Sequence, residues 1–450
     1  MKLAGDLLNN LCTVLDKSRF LPVKGTKTQE WRITLYQTQI LTLGIKNNVG
    51  GSVYTPPAYK SSENAEIFLI WEDGKCSRAM VPRPPEGKFY DWDKQLILWR
   101  MAAFADPYAI RVPAPAKLPD VKIQSEEIRD LIENDLSYGL EQQKRILADR
   151  PQGAQTGANI TALWGKNHVR TSTGIDVAYD ESKYAVSWSF DSQISEGFAK
   201  RRLITEQEWE GLWKNSISKY HLIKNQGELV NENTLVVLAP SVVGQMVEQY
   251  ILPNFRGANI LEGQSRFRAE DFTGGERLFD RGLTLEINPL RPYNWASYLL
   301  TSEGVPALST VLVAMGSLQS PYLNVKDAYR WSVVGGATSS AGPTGIPVGS
   351  SGVIVQHVNQ VDWFQTLEEI EDGVLILSVL GLHTQNPVTG DFSLAAPSAL
   401  RISGGRLTGK TNVRINGNIW DILKSPDTKY GREELDRHPY LLARCQIENL

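Results

Sequence analysis

From about residue 230 onward the chain is cut into short apolar stretches by Gly, Pro and Asn, and this punctuation limits what its second half can become. The stretches are Thr234 to Ala239, Leu283 to Ile287, Thr310 to Ala314, Val353 to His357, Val374 to Leu380, Ala399 to Ile402 and Asn412 to Ile415. Each is too short for an ordinary helix of ~10–12 residues, and most are rich in β-branched side chains. Short strands between turn residues predict a largely antiparallel β domain. Gly335 to Gly352, GGATSSAGPTGIPVGSSG, interrupts them as a long loop poor in core residues. Loops of that length are usually functional or mobile.

The first half reads differently. Leu3, Leu7, Leu8, Leu11, Val14 and Leu15 recur at helical spacing. Arg32 to Ile45 and Glu66 to Trp71 read as strands, with Asp73-Gly74 as a hairpin turn. Leu96 to Phe104 is apolar but carries no decisive period. Four prolines between residues 105 and 123 predict an extended connector, because proline fixes φ and has no amide proton. Ser125 opens a helix that Pro151 closes. Thr171 to Phe190 reads as a hairpin turning at Asp180 to Lys183. Thr205 and Glu208 form a capping box ahead of Trp209, Leu212, Trp213 and Ile217. The expected fold class is α+β: an N-terminal α/β-type domain over 1–225, then a β-rich domain over 226–450.

Composition excludes several functions. Net charge is -3, and no dense Lys/Arg run gives the basic footprint of a nucleic-acid surface. The longest nearly apolar run, Val374 to Leu382, is far short of a membrane-spanning helix. The N-terminus lacks the unbroken apolar stretch of a signal peptide. Three widely spaced cysteines are not a disulfide framework and fit a reducing compartment. A cytoplasmic protein is expected.

Chemistry is sparse. The five histidines are His168, His221, His357, His383 and His438, and the closest pair, 357 and 383, is 26 residues apart. A zinc site on one helix needs two histidines four or five apart, so no such site is present. No Gly-Lys-Ser/Thr ending marks the Gly-rich loop as a phosphate loop, and no Gly-x-Ser-x-Gly elbow occurs. The acidic cluster Glu368, Glu369, Glu371 and Asp372 reads as a solvated turn. One patch is more pointed: His383-Thr384-Gln385-Asn386-Pro387-Val388-Thr389-Gly390-Asp391 follows a very apolar strand and mixes hydrogen-bonding side chains with turn formers. It reads either as a peptide-binding constellation, with His383, Gln385, Asn386 and Asp391 as candidate contacts, or as a self-stabilised turn.

At that patch the sequence resembles a known family. Gln385-Asn386-Pro387-Val388-Thr389-Gly390-Asp391-Phe392-Ser393, then Ala395-Ala396 and Ile402-Ser403-Gly404-Gly405, is similar to the C-terminal signature of the TldE/PmbA branch of the TldD/PmbA family, also called the modulator of DNA gyrase family. Ile415-Asn416-Gly417-Asn418-Ile419-Trp420-Asp421 and Ser302-Glu303-Gly304-Val305-Pro306 extend the likeness. It covers residues 230 to 425 well and the N-terminal half loosely.

The resemblance implies a pair of related subunits. TldD-type chains carry His-Glu-x-x-x-His on a helix and a later Cys, which hold a catalytic zinc. TldE-type chains lack those ligands and complete a shared chamber in which unfolded peptides are cut. Here that frame falls on Glu248, Gln249 and Pro253, and the later Cys position on Ser378 to Gly381, without sulfur. The helix is expected to end near Pro253, since interior proline costs ~3 kcal/mol. The expectation is a non-catalytic, TldE-like subunit, a pseudoenzyme with no cofactor of its own and zinc in a TldD-like partner. The alternatives are a homodimeric peptide-binding scaffold and an enzyme built on His383, Asp391 and Glu248.

Overall fold

The computed structural model describes residues 4–450 except 52–54, 87–89, 110, 232–233, 274, 276, 335–351 and 433–437. The Gly-rich loop predicted at 335–352 therefore lies almost wholly outside the described residues.

The first half is an antiparallel sheet that runs, edge to edge, Phe104–Ala105, Lys75–Pro82, Ala58–Trp71, Thr28–Lys46, Thr156–Thr171, Asp176–Phe190 and Ile194–Lys200. Side chains alternate across a strand, so Trp31, Ile33, Leu35, Leu41, Leu43 and Ile45 share one face. At one end that face is covered by helices Ala4–Phe20 and Trp92–Met101 through Leu7, Leu11, Leu15, Leu96 and Trp99. At the other end helices Glu126–Glu133, Ser137–Ala148 and Glu206–Ile223 cover it. The opposite face takes a segment from the second half: Thr34 Oγ1 donates to Ser302 O at 2.9 Å, and Tyr179 Oη to Leu300 O at 3.3 Å. Gly304, at φ +88°, makes the tight turn of that segment.

Two local expectations need correction, and one open stretch is resolved. Of Leu96 to Phe104, the first part belongs to helix Trp92–Met101, started by Asp91, whose carboxylate accepts from Lys94 N at 3.1 Å, and Phe104 lies in the edge strand. The helix opened at Ser125 is two helices, because Asp135 Oδ1 takes the Ser137 amide at 2.8 Å and restarts the chain. The hairpin turns at Gly174, φ +104°, and not at Asp180 to Lys183. Those charged residues lie inside a strand, where Glu181 pairs with buried Arg201 at 2.8 Å. The capping box forms as expected, with Glu208 Oε2 accepting from Thr205 N at 3.0 Å.

Among the described residues the second half holds two sheets. The larger runs Val361–Asp362, Lys429–Arg432, Tyr440–Ala443, Leu235–Leu238, Asp372–Leu380, Asp391–Ser403, Arg406–Asn418 and Gln446–Asn449. It is antiparallel except where Leu235–Leu238 meets Asp372–Leu380 and Val361–Asp362 meets Lys429–Arg432. The smaller is antiparallel: Ser317–Leu318, Thr310–Ala314, Leu283–Ile287 and Val353–His357. Together the two halves make the α+β fold. One core, containing Val243, Met246, Tyr250 and Phe255, joins both C-terminal sheets. A second runs from Trp188 and Phe190 of the first half to Leu375, Leu400 and Ile402 of the second.

Candidate functional site

Strand Leu235–Leu238 leads directly into the helix that bears the degenerate motif frame. Pro240 stands in the first turn, where its missing N–H costs nothing. The helix is α over Pro240–Met246, π over Val247–Ile251 and α again over Leu252–Phe255. The Leu252 amide bonds to Val247 O, five residues back. The helix thus passes through Pro253, contrary to the expected stop. Pro253 stands at the start of the closing α segment Leu252–Phe255, where its missing N–H costs least, and Asn254 Nδ2 bonds to Tyr250 O at 2.7 Å.

The frame residues face different ways. Val247, Tyr250 and Ile251 are buried, Glu248 is exposed, and Gln249 and Pro253 are half-buried. Gln249 Nε2 donates to Gln385 O at 3.2 Å, so the fold does bring the frame and the pointed loop together. An exposed carboxylate, a hydrogen-bonded amide and a proline do not make a zinc ligand set. Among the described residues no three His, Cys, Asp or Glu side chains are grouped to hold a metal ion. The strand residues Ser378 to Leu380 offer no sulfur.

The loop candidates mostly bond to their own chain. Gln385 Nε2 donates to Gly381 O at 3.1 Å, and Asn386 Oδ1 accepts from Val388 N at 2.9 Å. Asp391 Oδ1 accepts from Asn418 Nδ2 at 2.8 Å. His383 is exposed on the short turn Leu382–Thr384. Gly390 is required: at φ +78° an added Cβ would come within 2.2 Å of the Trp420 ring. Sequence reasoning missed Tyr250 and Asn254, which also reach this loop. Their only signal was an Asn and a Tyr on the apolar face of VVGQMVEQYILPNF.

Elsewhere His357 and two of the cysteines show how reactive groups are held. His357 Nδ1 accepts from Asn359 N at 3.1 Å, so Nε2 carries the proton toward Asp280 at 2.5 Å, and the ring stacks on Tyr430. Burial would raise the Asp280 carboxyl, but the His357 bond and nearby amides hold it below the usual range. Burial pushes the Cys12 thiol up to about 11 and Cys445 up to about 12, which leaves both as inert thiols.

Beneath the helix lies an apolar cavity of about 20 Å³, lined by residues including Leu238, Val243, Met246, Val247 and Leu285. At ~24 cal/mol per Å³, filling it through Val243→Ile should raise stability by ~0.5 kcal/mol. The check is a higher urea midpoint at unchanged slope.

Comparison with known proteins places this geometry. Residues 231–435 match the PmbA/TldA metallopeptidase C-terminal domain. An uncharacterized protein of Methanocaldococcus jannaschii is 24% identical over 360 residues, 79% of this chain and 82% of the relative. A metalloprotease of Methanothermobacter thermautotrophicus is 25% identical over 195 residues, 43% of this chain and 41% of that one. The fold is shared with the crystal structure of TldE from Thermococcus kodakarensis, at TM-score 0.81 and 19% identity over 98% of this chain and 100% of that one. The signature loop, the degenerate frame and the matched domain all fall in the second half, so residues 231–435 carry the likeness to the PmbA/TldA metallopeptidase C-terminal domain.

Proposed function

We propose that this chain is the TldE-like, non-catalytic subunit of a two-subunit metalloprotease that cuts unfolded peptides in the cytoplasm, with zinc supplied by a TldD-like partner. The observation that carries this reading is the helix itself. At the frame where a zinc-bearing chain would present ligands, Gln249 holds a backbone carbonyl and Pro253 has no ligand atom. The likeness to TldE over the full length supports the same assignment. The loop around His383, Gln385, Asn386 and Asp391 is the face we assign to peptide or partner contact. We assign the N-terminal domain to residues 1–225 and the C-terminal domain to residues 226–450.

The test is to tag the chain, purify it gently from its native cells, and measure complex mass and metal content together. The expected result is a pair with a His-Glu-x-x-x-His protein and about one zinc per pair, with peptidase activity that needs both chains. A metal-free homodimer without such a partner would overturn the proposal and favour the peptide-binding scaffold.

A further inference from the structure

Three side chains from one stretch of helix reach three carbonyls of one loop. Gln249 Nε2 donates to Gln385 O at 3.2 Å, Asn254 Nδ2 to Pro387 O at 2.9 Å, and Tyr250 Oη to Asp391 O at 3.2 Å. Gln249 and Asn254 are five residues apart. At ~3.6 residues per turn an α-helix would set them well apart around its axis. A ring that closes over five residues brings them toward one side.

Asn254 is the centre of the arrangement. It is fully buried. Its Nδ2 serves Tyr250 O and Pro387 O, and its Oδ1 accepts from Arg266 N at 2.6 Å. Its own carbonyl accepts from Ser265 Oγ at 2.7 Å. One amide thus joins the helix, the 385–391 loop and the 265–266 segment, with both polar ends satisfied as burial demands.

We infer that the helix stretch from the π turn Val247–Ile251 to Asn254 is a clamp that fixes the 385–391 loop, with Gln249, Tyr250 and Asn254 as its positioning residues. The clamp is a property of this chain alone. Its consequence for catalysis rests on the proposed function, in which the loop meets the peptide. The clamp also explains why the degenerate frame is not a metal site lacking a few ligands: Gln249 now holds the loop. Writing the motif back with Glu248→His, Gln249→Glu and Pro253→His removes one of the three bonds to the loop and builds no zinc site.

Amide hydrogen exchange on the full chain tests this directly. Losing one neutral hydrogen bond of ~1 kcal/mol corresponds to about fivefold in an opening equilibrium. Gln249→Ala and Tyr250→Phe should each speed exchange at Val388, Gly390 and Asp391 by about that factor, with strand Thr28–Lys46 unchanged. Asn254→Ala should have a larger effect; if it fails to fold, the two milder variants decide. The triple substitution should retain no zinc after dialysis. In the reconstituted pair, Gln249→Ala should raise KM while kcat stays unchanged. Wild-type exchange rates at the loop in both mild variants would overturn the clamp, as would tight zinc binding by the triple variant. An inactive wild-type pair would overturn the proposed function instead, and the exchange result would still stand.

Discussion

Replacing Trp209 by Ala is expected to lower the unfolding free energy by about 3–5 kcal/mol, the largest effect of any single substitution considered. Trp209 is only 1% exposed. It stacks on Trp213 with centroids 5.5 Å apart, lies 5.2 Å from Trp188, and takes the Arg145 guanidinium over its face at 4.9 Å. Its helix, Glu206–Ile223, contributes to the core that runs from Val186, Trp188 and Phe190 in the first half to Leu375, Leu400 and Ile402 in the second. A cavity there loosens both halves, so the whole urea transition should move to lower denaturant. Trp209→Phe is the control. The indole Nε1 has no hydrogen-bond partner, so phenylalanine forfeits no polar contact, and the cost should stay below ~1.5 kcal/mol. Equal midpoints for Trp209→Ala and wild type would show that this helix does not tie the halves together.

The second large effect is a loss of stability in mild acid. His438 packs against Gly244 of the motif helix, where an added Cβ would lie 3.0 Å from the imidazole, and its Nδ1 is sealed without a partner among the described residues. Burial first, and then the charge of Arg291, pushes its pKa down from 6.5 to about 4. The sign follows from which state binds the proton. Between pH 6.5 and 4 the unfolded chain protonates this histidine and the folded chain does not, so stability falls as pH falls through that window. Above pH 6.5 the residue contributes no slope. At ~1.36 kcal/mol per pKa unit, the full loss is about 3 kcal/mol. His438→Gln should flatten the slope over that window, measured as urea midpoints against pH. An identical slope in the variant would assign the acid sensitivity to other groups.

The motif helix shows most clearly where sequence reasoning reaches its limit. Glu248, Gln249 and Pro253 could be placed on one helix, and their lack of zinc-binding chemistry was plain from residue type. The π turn was not legible. Proline in a helix predicts a stop, because its ring and missing N–H break the α ladder. Past the π turn the Asn254 side chain bonds the Tyr250 carbonyl, and its placement depends on packing against residues 265–266 and 387. The pointed loop has the same lesson in reverse. Its donors and acceptors looked available for a peptide, and most are used by the loop itself, by Asn418 or by the helix.

The α+β class, seven strands of the second half, the capping box at Thr205 and the signature at 385–393 were legible in the sequence, because these depend on local periodicity, turn chemistry and residue order; the short strands Ser317–Leu318, Val361–Asp362, Lys429–Arg432, Tyr440–Ala443 and Gln446–Asn449 were not. The sequence by itself also determined that no helical histidine pair could hold zinc. Only the tertiary structure decided where the first-half hairpin turns, that the helix continues past Pro253, and that one core runs through both halves. Those outcomes depend on which distant groups meet: Glu181 with Arg201, Asn254 with Pro387, and Trp188 with the helix that carries Trp209. Such encounters are set by the packing of the whole chain, and no window of neighbouring residues contains them.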